Sequence, residues 1–418
     1  MKPKILIISH ILPLPGDSGQ KMRVKNTLKF LLSDFDVTYL SFCKKNEKQK
    51  NIKLIKRLSN KQIFLNSIYN SNFIVKFILK VFSIFFSILT GLKSSNFIIG
   101  EIEFSWHRLK KIVKNGGYDI VLVEYFYAYR LAKNIKRLKI PVALDTHNIL
   151  WKSFEKQLID KGYLSSILIK MMVDRYRKYE EYAWSSFDHV IAINENEKDY
   201  IRSVVPSSTN VSLSGMGVDM VKWNINNSPK NKRKSKKIFY YGSLNSTHNQ
   251  RDALFAYFDI FKKIEELHTD IEFWIIGNNP PKNIIDLAEK ESNVFVTGFV
   301  DKVEDLINKM DFAIIPWSGK YGFRSRIIEI MASGTPVLTS SDAIDGMMLC
   351  EGEGIFLCDS IDDFLGLSLK LIENDDFLFT NCELARAQAL KKWDIKISYR
   401  VLANDLLRLI QNYNVKTV

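Results

Sequence analysis

The chain has 418 residues, with 46% hydrophobic and 25% charged side chains. This suits a globular protein with two cores and excludes a disordered, collagenous or small disulfide-stapled one. The formal charge of +14 is unevenly spread: residues 1–220 carry 35 basic and 19 acidic side chains, net +16, whereas 221–418 are net −2. Cys43, Cys350, Cys358 and Cys382 show no paired spacing, which argues against a zinc ribbon or a secreted disulfide framework and for a reducing cytoplasm.

Residues 5–8 are four consecutive apolar residues, too few for a signal-peptide core and expected as a buried strand. A Gly/Pro loop over 10–20 follows, with Gly16 and Gly19 ahead of a helix opening near Lys21. Glycine lets a backbone approach a ligand, and a helix N-terminus offers unpaired N–H groups to an anion or to hydroxyls. The loop lacks the G-x-G-x-x-G dinucleotide spacing, so a plain strand-to-helix turn is the alternative.

Next comes a basic stretch. Residues 51–100 hold seven Lys/Arg and no Asp or Glu, a local positive field that suits an anionic membrane surface or nucleic acid. No RNA-binding or helix-turn-helix signature accompanies it, which disfavours nucleic acid. Residues 73–92 are almost wholly apolar and about 20 long, enough to span a bilayer, but Lys76 and Lys80 make a poor span. On a helix, Asn72, Lys76, Lys80, Ser83 and Ser87 share one stripe. Two readings stay open for 44–92: an interfacial helix combining apolar insertion with attraction to an anionic leaflet, or a domain-core helix whose polar stripe is solvated.

Strand-like runs over 36–42, 119–124, 142–145 and 189–194 alternate with helical patterns, the sign of a parallel sheet with helices on both faces. The third of these runs ends in Asp145-Thr146-His147-Asn148, where such a sheet presents ligand-contacting groups. His147 is a candidate hydrogen-bond donor or proton carrier; a structural histidine is the alternative. The remaining histidines show no metal-ligand spacing. Residues 224–237 are polar and basic, as an exposed linker should be. Beyond them the alternation restarts, with strands expected at 238–241, 273–276, 294–297, 312–315, 337–339 and 355–358. Two consecutive doubly wound α/β domains imply a ligand cleft at the carboxyl ends of their strands.

Turns after the second-half strands carry Gly242-Ser243-Leu244-Asn245, then Asn249, and Gly277-Asn278-Asn279-Pro280. A glycine loop over 316–325 then enters a helix bearing Arg326 and Glu329 on one face. Loop amides and an arginine suit a diphosphate, and a carboxylate suits two ribose hydroxyls. An intrahelical Arg–Glu pair is the alternative.

In order and spacing, the chain resembles a family 4 glycosyltransferase of the GT-B fold, in particular bacterial exopolysaccharide-type sugar transferases. The resemblance rests on Pro15-Gly16-Asp17-x-Gly19, Asp145-x-His147-Asn148, Gly215-Met216-Gly217-Val218-Asp219, Gly242, Gly277, Thr297-Gly298, Arg326-x-x-Glu329 and Ala332-x-Gly334-x-Pro336-Val337. It implies two Rossmann-like domains facing a cleft: 1–222 binding the acceptor, a linker at 223–237, 238–394 binding the nucleotide sugar, and 395–418 as a C-terminal helix returning to the first domain past Trp393-Asp394.

The resemblance implies retaining, metal-independent transfer from a nucleotide-sugar donor, with no cofactor, to a lipid-linked or oligosaccharide acceptor. The setting implied is polysaccharide or lipopolysaccharide synthesis by a cytoplasmic protein peripheral at the inner face of the plasma membrane. Glu329 would bind ribose, Arg326 the diphosphate, and Gly19 would lie near the phosphates. His147, beside Asp145, would meet the transferred sugar, while Gly242, Asn249, Gly277, Gly322, Phe323 and Arg324 complete the donor side. This chain has Tyr321 where many members have a second glutamate, and Ser243 with His248 or Asn249 where many have a basic pair. Neutralisation of the diphosphate then falls to Arg326, helped by Arg324 or Arg251. An epimerase on the same fold and a nucleotide-sugar-binding homologue without turnover are the rival readings.

Overall fold

Short β-branched runs closed by glycine or polar residues build two all-parallel sheets in the computed structural model, which describes residues 1–16, 18–162, 164–224, 236–319 and 323–417. Residues 225–235, the heart of the expected linker, lie outside the described residues, as do Tyr321 and Gly322. The chain forms two compact units, one built chiefly from Met1–Gly215 and Ser398–Val418, the other from Met216–Lys320 and Arg324–Ile397.

The first unit holds seven strands: β1 (Lys4–Ile8), β2 (Asp36–Cys43), β3 (Lys61–Asn66), β4 (Ile120–Glu124), β5 (Val142–Asp145), β6 (His189–Ala192) and β7 (Asn210–Leu213). Their order is β3-β2-β1-β4-β5-β6-β7. Because parallel neighbours need helical crossovers, both faces are covered, and β4 and β5 are buried along their whole length. The order reverses between β1 and β4, a topological switch point where ligands bind at strand carboxyl ends. The helix Gly19–Leu31, N-capped by Ser18, follows β1 and buries Arg23, Val24, Leu28 and Leu31. Tyr399 stacks on Phe30 at 5.2 Å and donates to the Arg23 carbonyl, seating the C-terminal segment on that helix.

The second unit holds β8 (Lys236–Tyr241), β9 (Ile271–Ile276), β10 (Val294–Val296), β11 (Phe312–Ile315), β12 (Val337–Thr339) and β13 (Ile355–Leu357), ordered β10-β9-β8-β11-β12-β13. Its switch point lies between β8 and β11. Residues 216–222, expected with the first domain, belong here because Val218 donates to the Trp393 carbonyl at 2.8 Å and accepts from Ile395 N at 3.0 Å. Arg386, on the helix Asp375–Trp393, donates to the carbonyls of Met220, Trp223 and Ala332, fastening the helix Ser325–Ala332 to that segment.

The helix Phe73–Thr90 reverses the domain-core expectation. Its N-cap Asn72 accepts from Val75 N and its C-terminal Gly91 adopts the left-handed cap conformation. Ser83, not a large apolar residue, is fully buried, and Phe86 packs on Phe97 at 4.2 Å. Nine large apolar side chains, from Phe73 to Leu89, are exposed instead. The stripe therefore splits, its serines turned inward and Lys76 and Lys80 exposed. No helix among the described residues is long and apolar enough to cross a membrane.

At the β8–β9 edge two glycines set the spacing. A Cβ on Gly277 would collide with the Gly242 carbonyl, whereas one on Gly366, exposed within the helix Ile361–Glu373, would meet nothing. Gly277→Ala is therefore expected to destabilise by about 1–3 kcal/mol through overpacking. Gly366→Ala should stabilise by about 0.5–1 kcal/mol by removing a helix-interior glycine. Thermal unfolding should shift in opposite directions for the two variants.

Candidate functional site

At the first unit's switch point, β1, β4 and β5 deliver Ser9-His10, Glu124-Tyr125 and Asp145-Thr146-His147 to one place. Asp145 is fully buried and belongs to Arg23, whose Nε donates to both carboxylate oxygens at 2.9 and 2.8 Å while Nη2 lies 2.8 Å from Oδ1. Arg23 Nη1 also donates to the Ser214 carbonyl at 2.9 Å. The geometry makes Asp145 a strut joining β5 to the helix after β1, with its carboxylate already engaged.

His147 sits one step beyond that strut, at a backbone φ of 60°. Its ring stacks on Tyr125 with centroids 4.4 Å apart, and its Nε2 lies 3.6 Å from Glu124 Oε2, beyond hydrogen-bond range. Glu124 is buried and accepts from Ser9 Oγ at 2.7 Å. Its other oxygen, and His147 Nε2, have no hydrogen-bond partner, so this corner presents unsatisfied polar atoms that a hydroxyl-bearing ligand could satisfy. His10 packs beside Tyr125 at 5.1 Å, and burial, reinforced by the charge of His147, lowers its pKa to about 3. Glu124, Asp145 and His147 bring ligand atoms within 4.8 Å of one another, and a cation there would have to share Asp145 with the Arg23 guanidinium that already holds it. Gly19 opens its helix with open space where a side chain would stand.

In the second unit, Gly242 ends β8 and leaves room for Arg326: a side chain on Gly242 would overlap the guanidinium. Arg326 Nη1 donates to Tyr240 Oη and to the Tyr241 carbonyl, both at 3.3 Å, and Nη2 donates to Asn249 Oδ1 at 3.1 Å. Asn249 in turn donates to the Ser243 carbonyl at 2.6 Å. The arginine's hydrogen bonds thus go to neutral oxygens and not to Glu329, so the intrahelical-pair alternative is not what forms. Glu329, one turn on, pairs its carboxylate with the Tyr241 hydroxyl, and burial raises its pKa against the pull of Lys222 and Arg326.

Arg324, just ahead of the helix, lies over the Trp317 ring at 4.8 Å and donates to the Gly319 carbonyl at 2.6 Å. Phe323 precedes it, half-buried. Arg251 is exposed. Gly322 falls outside the described residues, and Gly277 serves the close passage of β9 past Gly242. The structure therefore gathers Gly242, Asn249, Arg326 and Glu329 at the carboxyl end of β8, with Arg324 beside the same helix.

Sequence reasoning missed Arg23, Glu124 and Arg386. Arg23 and Asp145 lie 122 residues apart, and nothing local marks the pairing. Glu124 carried a signal that went unused, a carboxylate ending an otherwise apolar strand.

Residues 235–374, most of the second unit, match the family model described as Glycosyl transferases group 1. No curated protein sequence matches the chain. Among solved structures, a sucrose-phosphate synthase from Thermosynechococcus elongatus is 13% identical, covering 98% of this chain and 100% of its own, with a TM-score of 0.70. HepE of Anabaena in complex with UDP-glucose is 13% identical over 97% and 99%, TM-score 0.61. A glycosyltransferase from Rickettsia africae is 12% identical over 98% and 99%, TM-score 0.64. The fold is that of the GT-B glycosyltransferases, as the resemblance implied, and its two doubly wound sheets are those the alternation of elements led us to expect. Within it, the second unit carries the match to the group 1 transferases.

Two outcomes follow for the first-unit corner. Arg23→Met should cost about 3–5 kcal/mol in urea unfolding by stranding a buried carboxylate, and Arg23→Met/Asp145→Leu should recover most of it. His10 takes up a proton near pH 6.5 when unfolded but only near pH 3 when folded. The unfolded chain therefore binds more protons in between, and stability, complete above pH 6.5, falls as pH drops toward 3. His10→Asn should flatten that slope in chemical denaturation followed across pH.

Proposed function

We propose that the chain transfers a sugar from a nucleotide-sugar donor to a lipid-linked or oligosaccharide acceptor, with retention of configuration and without a metal ion, at the inner face of the plasma membrane in surface-polysaccharide or lipopolysaccharide synthesis. The observation that carries the donor half is Arg326: a cation aimed by Gly242 at the end of β8, hydrogen-bonded only to neutral oxygens, beside a carboxylate at the switch point. A half-buried cation whose hydrogen bonds go only to neutral oxygens is matched by an anionic ligand, and a diphosphate supplies two such groups.

In the reaction, the bond from the anomeric carbon to the diphosphate breaks, a bond to the acceptor hydroxyl oxygen forms, and the hydroxyl proton is released. Arg326 would stabilise charge developing on the departing diphosphate, with Arg324 adding to the local field. Glu329 would accept from two ribose hydroxyls; its half-buried place at the Tyr241 hydroxyl holds the carboxylate in one orientation. His147, left with a buried unsatisfied Nε2, would contact the transferred sugar, with Glu124 3.6 Å from that same nitrogen and able to accept from the same hydroxyl. The chemistry asked of the protein is chiefly placement. The HepE complexes with UDP and UDP-glucose favour a uridine nucleotide as the first donor to try.

Calorimetry or thermal shift across a panel of nucleotide sugars tests this. Wild type is expected to bind one base class saturably. Arg326→Ala and Glu329→Ala should each weaken binding by about 10-fold or more, the worth of one charge-assisted hydrogen bond, while unfolding temperature stays near wild type. A folded wild-type protein that binds no nucleotide sugar would overturn the reading.

A further inference from the structure

The exposed face of the helix Phe73–Thr90 has no explanation within the fold. Phe73, Ile74, Phe77, Ile78, Val81, Phe82, Ile84, Phe85 and Leu89 are all exposed, Phe73 at 82%. At 100° per residue they cover about half of the helix circumference, and Lys80 and then Lys76 run along one border of that arc. The opposite side, with Val75, Leu79, Ser83 and Phe86, is turned toward the protein. The helix Ser166–Trp184, which packs against it, exposes Ile167, Leu168 and Met171 near its start. Scattered apolar side chains on a surface need no explanation, but a continuous face of this kind marks something that covers it.

Charge identifies the cover. Between Glu47 and Glu101 the chain holds nine Lys or Arg and no acidic residue. A second copy docked through the same face would set these cations against themselves, since a two-fold contact pairs a surface with its own image. An anionic lipid leaflet satisfies both properties at once: acyl chains receive the apolar arc, and lipid phosphates receive the bordering lysines, whose long stems reach up from a half-immersed helix. Among the described residues no helix is long and apolar enough to cross a bilayer, Lys76 and Lys80 make this one a poor span, and one side of it is occupied by Phe97 and the chain around it. It is built to lie flat.

We propose that Phe73–Thr90 is an in-plane membrane anchor, inserting its phenylalanine-rich arc into the headgroup boundary of an anionic leaflet with Lys76 and Lys80 at the phosphate level. This deepens the membrane part of the proposed function and rests on that reading for its physiological setting. Lipid binding itself requires neither nucleotide nor sugar transfer.

Sedimentation of the full chain with large vesicles tests the proposal, using pure phosphatidylcholine against phosphatidylcholine with about one-third phosphatidylglycerol. Wild type is expected to bind the anionic vesicles at least 10-fold better than the neutral ones. Phe77→Ser/Phe85→Ser should lose at least 10-fold on anionic vesicles at every salt concentration. Lys76→Gln/Lys80→Gln should lose less at high salt than at low salt, because its missing contribution is screened. All four positions are exposed, so unfolding temperatures should match wild type. Glu329→Ala, expected to weaken donor binding, should leave vesicle binding unchanged, so the anchor and the transfer reaction can fail separately. Wild type that stays in the supernatant would overturn the proposal, as would serine variants that bind like wild type. A wild-type dimer that becomes monomeric in Phe77→Ser/Phe85→Ser without any vesicle binding would assign the face to a second copy instead.

Discussion

Every strand in both sheets runs the same way as its neighbours, and that constraint decides where polar chemistry can sit. A parallel strand buried on both faces must be apolar along its length, so polar side chains are pushed to its ends, where the backbone leaves the sheet. At the carboxyl edge these ends come together at the switch point, because flanking crossovers depart in opposite directions and leave a gap between them. In the first unit Ser9, Glu124 and Asp145 collect there at the ends of strands whose other buried residues are all hydrophobic. In the second unit Gly242 and the helix carrying Arg326 meet at the equivalent place.

The two collections treat charge differently. In the first unit, Asp145 and Arg23 are both buried and bonded to each other. Such a pair adds little net stability against a hydrophobic equivalent, but its geometry fixes β5 against the helix after β1 and so sets the position of His147 two residues on. In the second unit, Arg326 is steadied by dipoles: a phenol, a peptide carbonyl and an amide oxygen. Dipoles orient a guanidinium without cancelling its charge, and the positive potential remains for an anion. Asn249 is central to this, since its amide oxygen accepts from the arginine while its nitrogen donates to the Ser243 carbonyl, tying the guanidinium to the turn after β8.

Much of this was legible in sequence. The two alternating series gave the sheets, and the loop entering a helix singled out Arg326 and Glu329, which the structure places at the carboxyl end of β8, because those signals are local: periodicity, glycine placement and spacing along one helix. What escaped was pairing. Arg23 reads as one more cation on an amphipathic helix until the fold sets it beside Asp145, and Arg386 reads as a surface residue until three carbonyls converge on it. The helix over 73–90 shows the limit most clearly. Its apolar and polar positions were evident, but periodicity assigns residues to faces and does not say which face looks inward. That choice was made by the neighbours, since Ser83 and Ser87 are small enough to let the segment around Ser94 and Phe97 come close, and phenylalanines in those positions would hold it away.

The uneven charge of the chain fits this division of labour. A nucleotide diphosphate is recognised at short range, by a few donors oriented within a low-dielectric site, so the unit that carries Arg326 can be near neutral overall without loss. A lipid surface is recognised differently: its charge is spread over many headgroups and screened within about 8 Å at physiological salt, so attraction grows only by adding cations that reach the same plane. Lysines distributed from Lys48 to Lys93 with no acid among them suit that requirement, and a scattered basic surface with interspersed carboxylates would not. On the proposed reading, the net +16 of residues 1–220 belongs to a lipid-facing surface, and the near-neutrality of the rest to a unit whose donor contacts rest on Arg326.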